Sequence, residues 1–247
     1  MSNIKLTLEY DGTNYSGWQK QPNFRTIGGI IEEKLSKICN EKINVVSAGR
    51  TDSGVHGLGQ VINFKTNSSL RAKEIKRALN RILPKDIVIL RAEEVSRRFN
   101  ARFSAISRTY QYLILNQDMP SAFNRDYVWW IKDKLNLRRI KVASKYFLGK
   151  HNFSLFSVNA KEVKSYQREI KDINISRREN MIKFLITANA FLPRMVRGII
   201  GVLVNIGKGE ITLQEVKEML EGKKIRNVSF APASGVYLLK VEYKDNK

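Results

Sequence analysis

The feature that most constrains how this chain can fold is a change of hydrophobic period that occurs twice in the same order. Ile4, Leu6, Leu8 and Tyr10 alternate with more polar residues and run into Asp11-Gly12, which predicts a strand closed by a turn. Ile27, Ile30, Ile31, Leu35 and Ile38 then follow helical spacing. Short β-like runs at Val45 to Ala48 and Gln60 to Lys65 flank a glycine-rich loop, and Ala72, Ile75, Leu79 and Ile82 predict a second helix stopped near Pro84. A strand at Ile87 to Val95 completes the order β-α-β-β-α-β. Beyond Phe103 that order recurs: a strand at Ser107 to Leu115, a helix at Leu137 to Leu148, a hairpin of Arg168 to Ser176 with Met181 to Asn189, a helix at Pro193 to Asn205, and a strand at Val236 to Tyr243. Thr212 and Glu215 form a capping-box pattern that predicts an extra short helix.

An α+β chain of two tandem ferredoxin-like units is therefore expected, 1–103 and 104–247, each using one sheet face for its helices and leaving the other for a ligand. The repeat is one of element order, without visible sequence identity. Connections around 11–26 and 149–167 exceed the usual loop length and are candidate binding loops.

Charge narrows the ligand. The 247 residues carry 44 Lys and Arg against 23 Asp and Glu, a formal charge of +21. Self-repulsion of this size is tolerated mainly when a polyanion offsets it. The excess is greatest from Lys132 to Arg178, where basic residues alternate with Tyr146, Phe147, Phe153, Phe156 and Tyr166, a mixture suited to a phosphate backbone with exposed bases nearby. No basic amphipathic helix or lipidation signal points to a membrane instead. Cys39 stands alone and only His56 and His151 accompany it, too little material for a Cys/His metal site. The alternating N-terminus is unlike a signal peptide, and the apolar run Ile199 to Val204 is too short to span a bilayer. A soluble cytoplasmic protein is expected.

The loop from Ala48 to Gln60 concentrates glycines around Arg50, Asp52 and His56. Gly49 and Gly54 have the glycine spacing of a phosphate-binding loop, but Val55-His56 stand where that loop needs Lys and Ser/Thr, and Gly57-x-Gly59 lacks the third glycine of a dinucleotide fingerprint. What remains is a constrained loop presenting Arg50 and Asp52 beside a sheet. An aspartate there serves as an Asx-turn residue or as a nucleophile kept ionised by a neighbouring cation; Arg50 could supply that cation or bind phosphate. His56 is expected to be a hydrogen-bonded structural residue in a turn.

Gly-Arg-Thr-Asp-Ser-Gly-Val-His at 49–56 resembles the catalytic motif of the tRNA pseudouridine synthase A family. The resemblance extends through Glu9-Tyr10-Asp11-Gly12, Gly17-Trp18-Gln19, Phe99 to Ala105, Arg108-Thr109-Tyr110, Ala188 to Leu192 and Met195-Val196-Arg197, covering most of 4–243. It implies the pseudouridine synthase fold, in which the two units form one mainly antiparallel sheet with a central RNA-binding cleft. It also implies isomerisation of uridine to pseudouridine in the tRNA anticodon stem-loop, typically at nucleotides 38, 39 and 40, by a homodimer without cofactor. On the matching motifs Asp52 would attack the flipped nucleotide and Arg50 would enter the helix where the base leaves. Tyr110 would stack on the uracil, and Arg197 would pair with the aspartate, which requires the two units to meet around one cleft. The bond exchange needs no redox equivalent and no net hydrolysis. The alternative from a different class is a non-catalytic RNA-binding protein, but no Lys/Arg-Gly-Phe/Tyr-Gly/Ala-Phe run appears, and docking alone gives no reason for the Arg50-x-Asp52 loop.

If the basic stretch carries RNA backbone, reversing Arg138 and Arg139 to Glu should weaken tRNA binding and flatten the slope of log affinity against log salt. An unchanged slope in filter-binding titrations would move the RNA path elsewhere.

Overall fold

The computed structural model describes residues 1–158, 163–223 and 227–244. Its elements are β1 (Ser2–Tyr10), α1 (Ile27–Cys39), β2 (Val46–Ser47), β3 (His56–Thr66), α2 (Ala72–Ile82), β4 (Ile87–Val95), β5 (Ala105–Asn116), β6 (Trp129–Ile131), α3 (Leu137–Ser144), β7 (Gly149–Asn152), β8 (Gln167–Arg178), β9 (Met181–Ala188), α4 (Met195–Lys208), α5 (Leu213–Leu220) and β10 (Val236–Tyr243). The chain is α+β and divides into two units, Met1–Ile106 with Tyr237–Lys247, and Ser107–Val236.

In the first unit β4, β1 and β3 lie side by side, with β2 beyond β3, all antiparallel. Alternation along β1 sends Ile4, Leu6 and Leu8 to the face covered by α1 and α2, where Ile27, Ile31, Leu35, Ile75 and Leu79 meet them in one core. Asn3 and Lys5 consequently face the other way, as do Val61 and Asn63 on β3. That helix-free face carries much of the functional architecture. α1 ends at Asn40, in the left-handed conformation with φ 51°. α2 begins where the Glu74 carboxylate accepts the Arg71 N–H at 2.7 Å, and Leu83 leaves it extended ahead of Pro84.

β10 runs parallel to the start of β3, with Tyr237 opposite His56 and Leu238 opposite Gly57. Chain order alone cannot reveal this pairing, because it joins segments far apart in sequence. β3 itself begins at His56, earlier than the expected Gln60, so part of the glycine run is strand. Gly57 and Gly59 are there for clearance: a β-carbon at 57 would lie 2.5 Å from the Tyr10 ring, and one at 59 would lie 2.4 Å from the Leu239 carbonyl oxygen.

The second unit pairs β5, β9, β8 and β7 antiparallel in that order, with β6 parallel to β5. α4 lies against irregular backbone on its glycine face, since β-carbons at Gly198 and Gly201 would fall 2.3 Å from the Phe156 and 1.8 Å from the Ser229 carbonyl oxygens. The helix begins after Arg194, which holds φ 60°, and runs to Lys208, three residues beyond the expected end, with Gly209 at φ 84° as its cap. The Thr212–Glu215 capping box forms as expected.

The segment expected to be a long loop at 149–167 contains β7 and a 3-10 turn at Ser154–Phe156, while 159–162 lie outside the described residues. Phe147, Phe153 and Phe156 are fully buried and pack edge to face on one another. These aromatics build core and do not lie exposed among the basic residues, a correction to the reading of this stretch. Periodicity could not separate the two roles, because a buried 3-10 turn and a base-stacking loop place aromatics at similar spacing.

Candidate active site

Asp52 sits in the loop between β2 and β3, and neighbouring backbone fixes that loop from behind. The Ala48 N–H donates to the Val61 carbonyl at 2.8 Å, and the fully buried Gln60 amide donates to the Gly49 carbonyl at 2.8 Å. Trp18 N–H donates to the Thr51 carbonyl at 3.0 Å, while the Thr51 hydroxyl meets the Tyr10 phenol at 2.9 Å. Beyond Asp52, the Ser53 hydroxyl donates to the Tyr15 carbonyl at 3.0 Å, and Val55 N–H closes a turn on the Asp52 carbonyl at 3.2 Å. Gly54 takes φ 75° in that turn.

The segment 11–26 supplies two of these contacts, through Trp18 and Tyr15, so its length serves to clasp the Asp52 loop. Two glycines make the clasp sterically possible. A β-carbon at Gly12 would lie 2.0 Å from the Val55 carbonyl oxygen, and Gly17, at φ 84°, would place one 2.7 Å from that of Thr51. His56 is buried at the first position of β3 and stacks on Tyr237 at 4.7 Å. Its Nδ1 accepts the Gly12 N–H at 3.1 Å, with the Asp11 carboxylate at the same distance. Held this way, Asp52 is half-buried and Arg50 is exposed on the same short loop.

Tyr110 and Arg197 belong to the second unit. Tyr110, on β5 opposite Ile186 of β9, is 8% exposed and meets Phe191 edge to face at 4.9 Å. One strand position pair along, Tyr112 is fully buried and donates to the Pro232 carbonyl at 3.0 Å; Gly235 leaves the room its ring needs. Burial drives the Tyr112 phenol well above its ordinary range, and the charge of Arg197 pulls the other way. Arg197, half-buried on the first turn of α4, donates through Nε to the Ala231 carbonyl at 2.6 Å, and Ala231 N–H returns a bond to the Arg197 carbonyl at 3.1 Å. This two-way clamp fixes the stem of the arginine. The structure thus brings Arg50 and Asp52 together in one unit and Tyr110, Phe191 and Arg197 into the other.

Residue chemistry alone missed the supporting shell: Tyr10, Gln60, Gly12 and Gly17. Its signal lay in the ordered motif segments, because Tyr10-Asp11-Gly12 and Gly17-Trp18 touch the Asp52 loop. Among the described residues no three His, Cys, Asp or Glu side chains gather as metal ligands, and no helix is long and apolar enough to cross a membrane.

The family model described as tRNA pseudouridine synthase matches residues 7–104 and 143–244. A tRNA pseudouridine synthase A 2 from Clostridium perfringens is 45% identical over 244 residues, covering 98% of this chain and 100% of that protein. The tRNA pseudouridine synthase A of Acetivibrio thermocellus is 43% identical over the same coverage. An archaeal box H/ACA sRNP Nop10–Cbf5 complex aligns over 88% of this chain and 56% of that one, at 11% identity and a TM-score of 0.37, a likeness that adds nothing to the assignment. A loop built to present one aspartate, on an α+β frame with this degree of identity, means that the chain belongs to the tRNA pseudouridine synthase family. It is an isomerase that converts uridine to pseudouridine in tRNA.

The clasp has a pH signature. Burial pushes the Tyr10 phenol from its ordinary 10.0 up to about 12, only partly offset by its hydrogen bonds to Thr51 and Gln60. A proton held more tightly when folded contributes stability that is full below the unfolded value and lost as pH rises from about 10 to about 12. Tyr10→Phe should cost about 1 kcal/mol at neutral pH through the lost hydrogen bond. It should also remove about 2–3 kcal/mol of the alkaline loss seen in urea denaturation. An alkaline loss equal to that of the native protein would show that other groups govern it.

Proposed function

We propose that the uridines converted are those at nucleotides 38, 39 and 40 of the tRNA anticodon stem-loop, and that Asp52 is the nucleophile. A stacked nucleotide hides its glycosidic bond, so the target must first be extruded, at a cost of a few kcal/mol of stacking. Arg50 is suited to filling the vacated space in the helix. The Tyr110 ring offers a stacking surface for the extruded uracil, with Phe191 fixing its orientation.

The Asp52 carboxylate attacks the ribose C1′, the N1–C1′ bond breaks, and the uracil leaves with the bonding pair. After the base turns, C5 attacks C1′ and displaces the carboxylate. The C5 proton is then lost, with the Tyr110 hydroxyl assisting, and N1 ends protonated. Atoms and electrons balance without oxidant, reductant or water. Arg197 serves the aspartate as a positioning cation, its stem held by Ala231. The same resemblance supports a homodimer acting on tRNA in the cytoplasm.

The observation that carries this reading is the fixed Asp52 loop. Its backbone is tied on both sides of the aspartate, so the carboxylate is delivered to a reacting carbon with little freedom left to lose.

With tRNA carrying tritium at uracil C5, Asp52→Asn should release none, while tRNA affinity stays within about 1.4 kcal/mol, or tenfold, of the native protein. Measurable release by the pure variant would remove Asp52 as nucleophile.

Tyr110→Phe keeps the ring and deletes the hydroxyl, so it should bind tRNA normally and stall at loss of the C5 proton. Tyr110→Ala should in addition lose base capture, weakening binding by about 1–3 kcal/mol. If Tyr110→Phe turns over as fast as the native protein, the hydroxyl has no part in the chemistry.

A further inference from the structure

The loop from Ser96 to Ser104, which leads from β4 into β5, is built with unusual rigidity and has no part in the chemistry described above. It lies over the helix-free face of the first unit's sheet. Two buried asparagines on that face hold it. Asn3 donates its amide to the Ser96 and Phe99 carbonyls at 2.8 and 3.0 Å, and Asn63 accepts the Ala101 N–H at 2.8 Å while donating to Asn3 at 2.9 Å. From the last strand, the Tyr243 hydroxyl donates to the Ala101 carbonyl at 2.9 Å. Within the loop, the Asn100 side chain accepts the N–H groups of both Arg102 and Phe103 at 3.0 Å.

This framework presents an exposed aromatic ring and an exposed cation side by side. Phe103 is 78% exposed, and the Arg102 guanidinium lies over its ring at 5.4 Å. Arg97 and Arg98 are also exposed, and residues 96–105 contain no acid. A single exposed phenylalanine is unremarkable by itself. One whose backbone is fixed by buried amides, in a segment with three arginines, is preorganised to stack on something planar and anionic.

Its position identifies that ligand. Ala101 packs with Ala48 and Val61 in one small cluster, and Ala48 opens the loop that carries Arg50 and Asp52. Both loops therefore rise from the same sheet face, in contact at their bases. Resting on the reading of this protein as a tRNA-modifying enzyme, we infer that Arg102 and Phe103 form an RNA subsite beside the catalytic loop. Phe103 stacks on an unpaired base neighbouring the target, and Arg102 takes the adjoining phosphate. Such stacking is indifferent to base identity, because every base has a π-face. It would serve an enzyme that accepts several sequence contexts.

The test measures tRNA affinity in the Asp52→Asn protein, where no turnover interferes. Phe103→Ala should weaken binding about 10- to 100-fold, and Phe103→Leu, apolar but without a π-face, should behave in the same way. Phe103→Trp should retain affinity, and its fluorescence should be quenched by tRNA beyond any change in the native tryptophans. Arg102→Gln should lower the slope of log affinity against log salt by about 0.7, the loss of one single-strand phosphate contact. Both side chains are exposed, so thermal unfolding should be unchanged. Native affinity in Phe103→Ala or in Phe103→Leu would overturn the stacking subsite. So would a drop in affinity accompanied by a change of mass in light scattering, which would assign Phe103 to a contact between copies of the chain. Failure of the Asp52→Asn protein with native Phe103 to bind tRNA would instead strike at the function itself, and the subsite would fall with it.

Discussion

Two stretches of backbone in this protein lie closer together than side chains would permit. The Val55 carbonyl occupies the position a β-carbon on residue 12 would need, and the Thr51 carbonyl does nearly the same at residue 17. The loop bearing Asp52 has no secondary structure of its own to hold it between Ser47 and His56. Its geometry depends on contact with the segment that follows β1. The hydrogen bonds from Trp18 and Tyr10 to Thr51, and from Ser53 to Tyr15, form only because that approach is open. Under the role proposed for Asp52, a carboxylate aimed in advance gains rate, since misplacement by about 1 Å can cost a hundredfold.

The helix-free face of the first sheet explains why so many polar side chains are buried. Asn3 and Asn63 are each at most 4% exposed, a state that costs free energy unless every amide is partnered. Their partners are in the backbone of the loop from Ser96 to Ser104, at Ser96, Phe99 and Ala101. Helices could not be fixed this way, since their backbone groups are already internally bonded. The division of labour is therefore physical. The apolar face of the sheet secures the helices and most of the core, and the amide-bearing face secures irregular backbone in defined positions.

Most regular elements were legible in the sequence because their signal is local. The alternation of Ile4, Leu6, Leu8 and Tyr10 and the spacing of Ile27, Ile31 and Leu35 each encode a single buried face, and both appear where expected. The Thr212–Glu215 cap was equally plain. The Asp52 loop stood out for another reason: an arginine and an aspartate amid glycines have few structural uses together, and the surrounding motif is specific. What failed was whatever depends on distant residues. Gly57 and Gly59 read as loop because the objects they make room for, the Tyr10 ring and the Leu239 carbonyl, cannot be foreseen from the glycines themselves. Phe153 and Phe156 read as base-stacking aromatics because their charged neighbours are solvated while they turn inward. The amide contacts of Asn3 and Asn63 link residues some 36 to 96 positions apart and leave no local pattern.

The parallel pairing of β10 with β3 also bears on how the molecule is made. Tyr237 stacks on His56, and Tyr243 closes over Ala101, so the first unit is finished by residues that follow the whole second unit in the chain. Such long-range closure is slow to form because a large loop must be ordered before any contact rewards it. While the ribosome still holds the second half of the chain, β3 lacks its β10 neighbour along its first residues, and the Tyr243 contact to Ala101 is not yet made. A nascent chain already carrying every residue of the Asp52 motif would therefore lack the full support of the Asp52 loop until β10 has followed the whole second unit out of the ribosome.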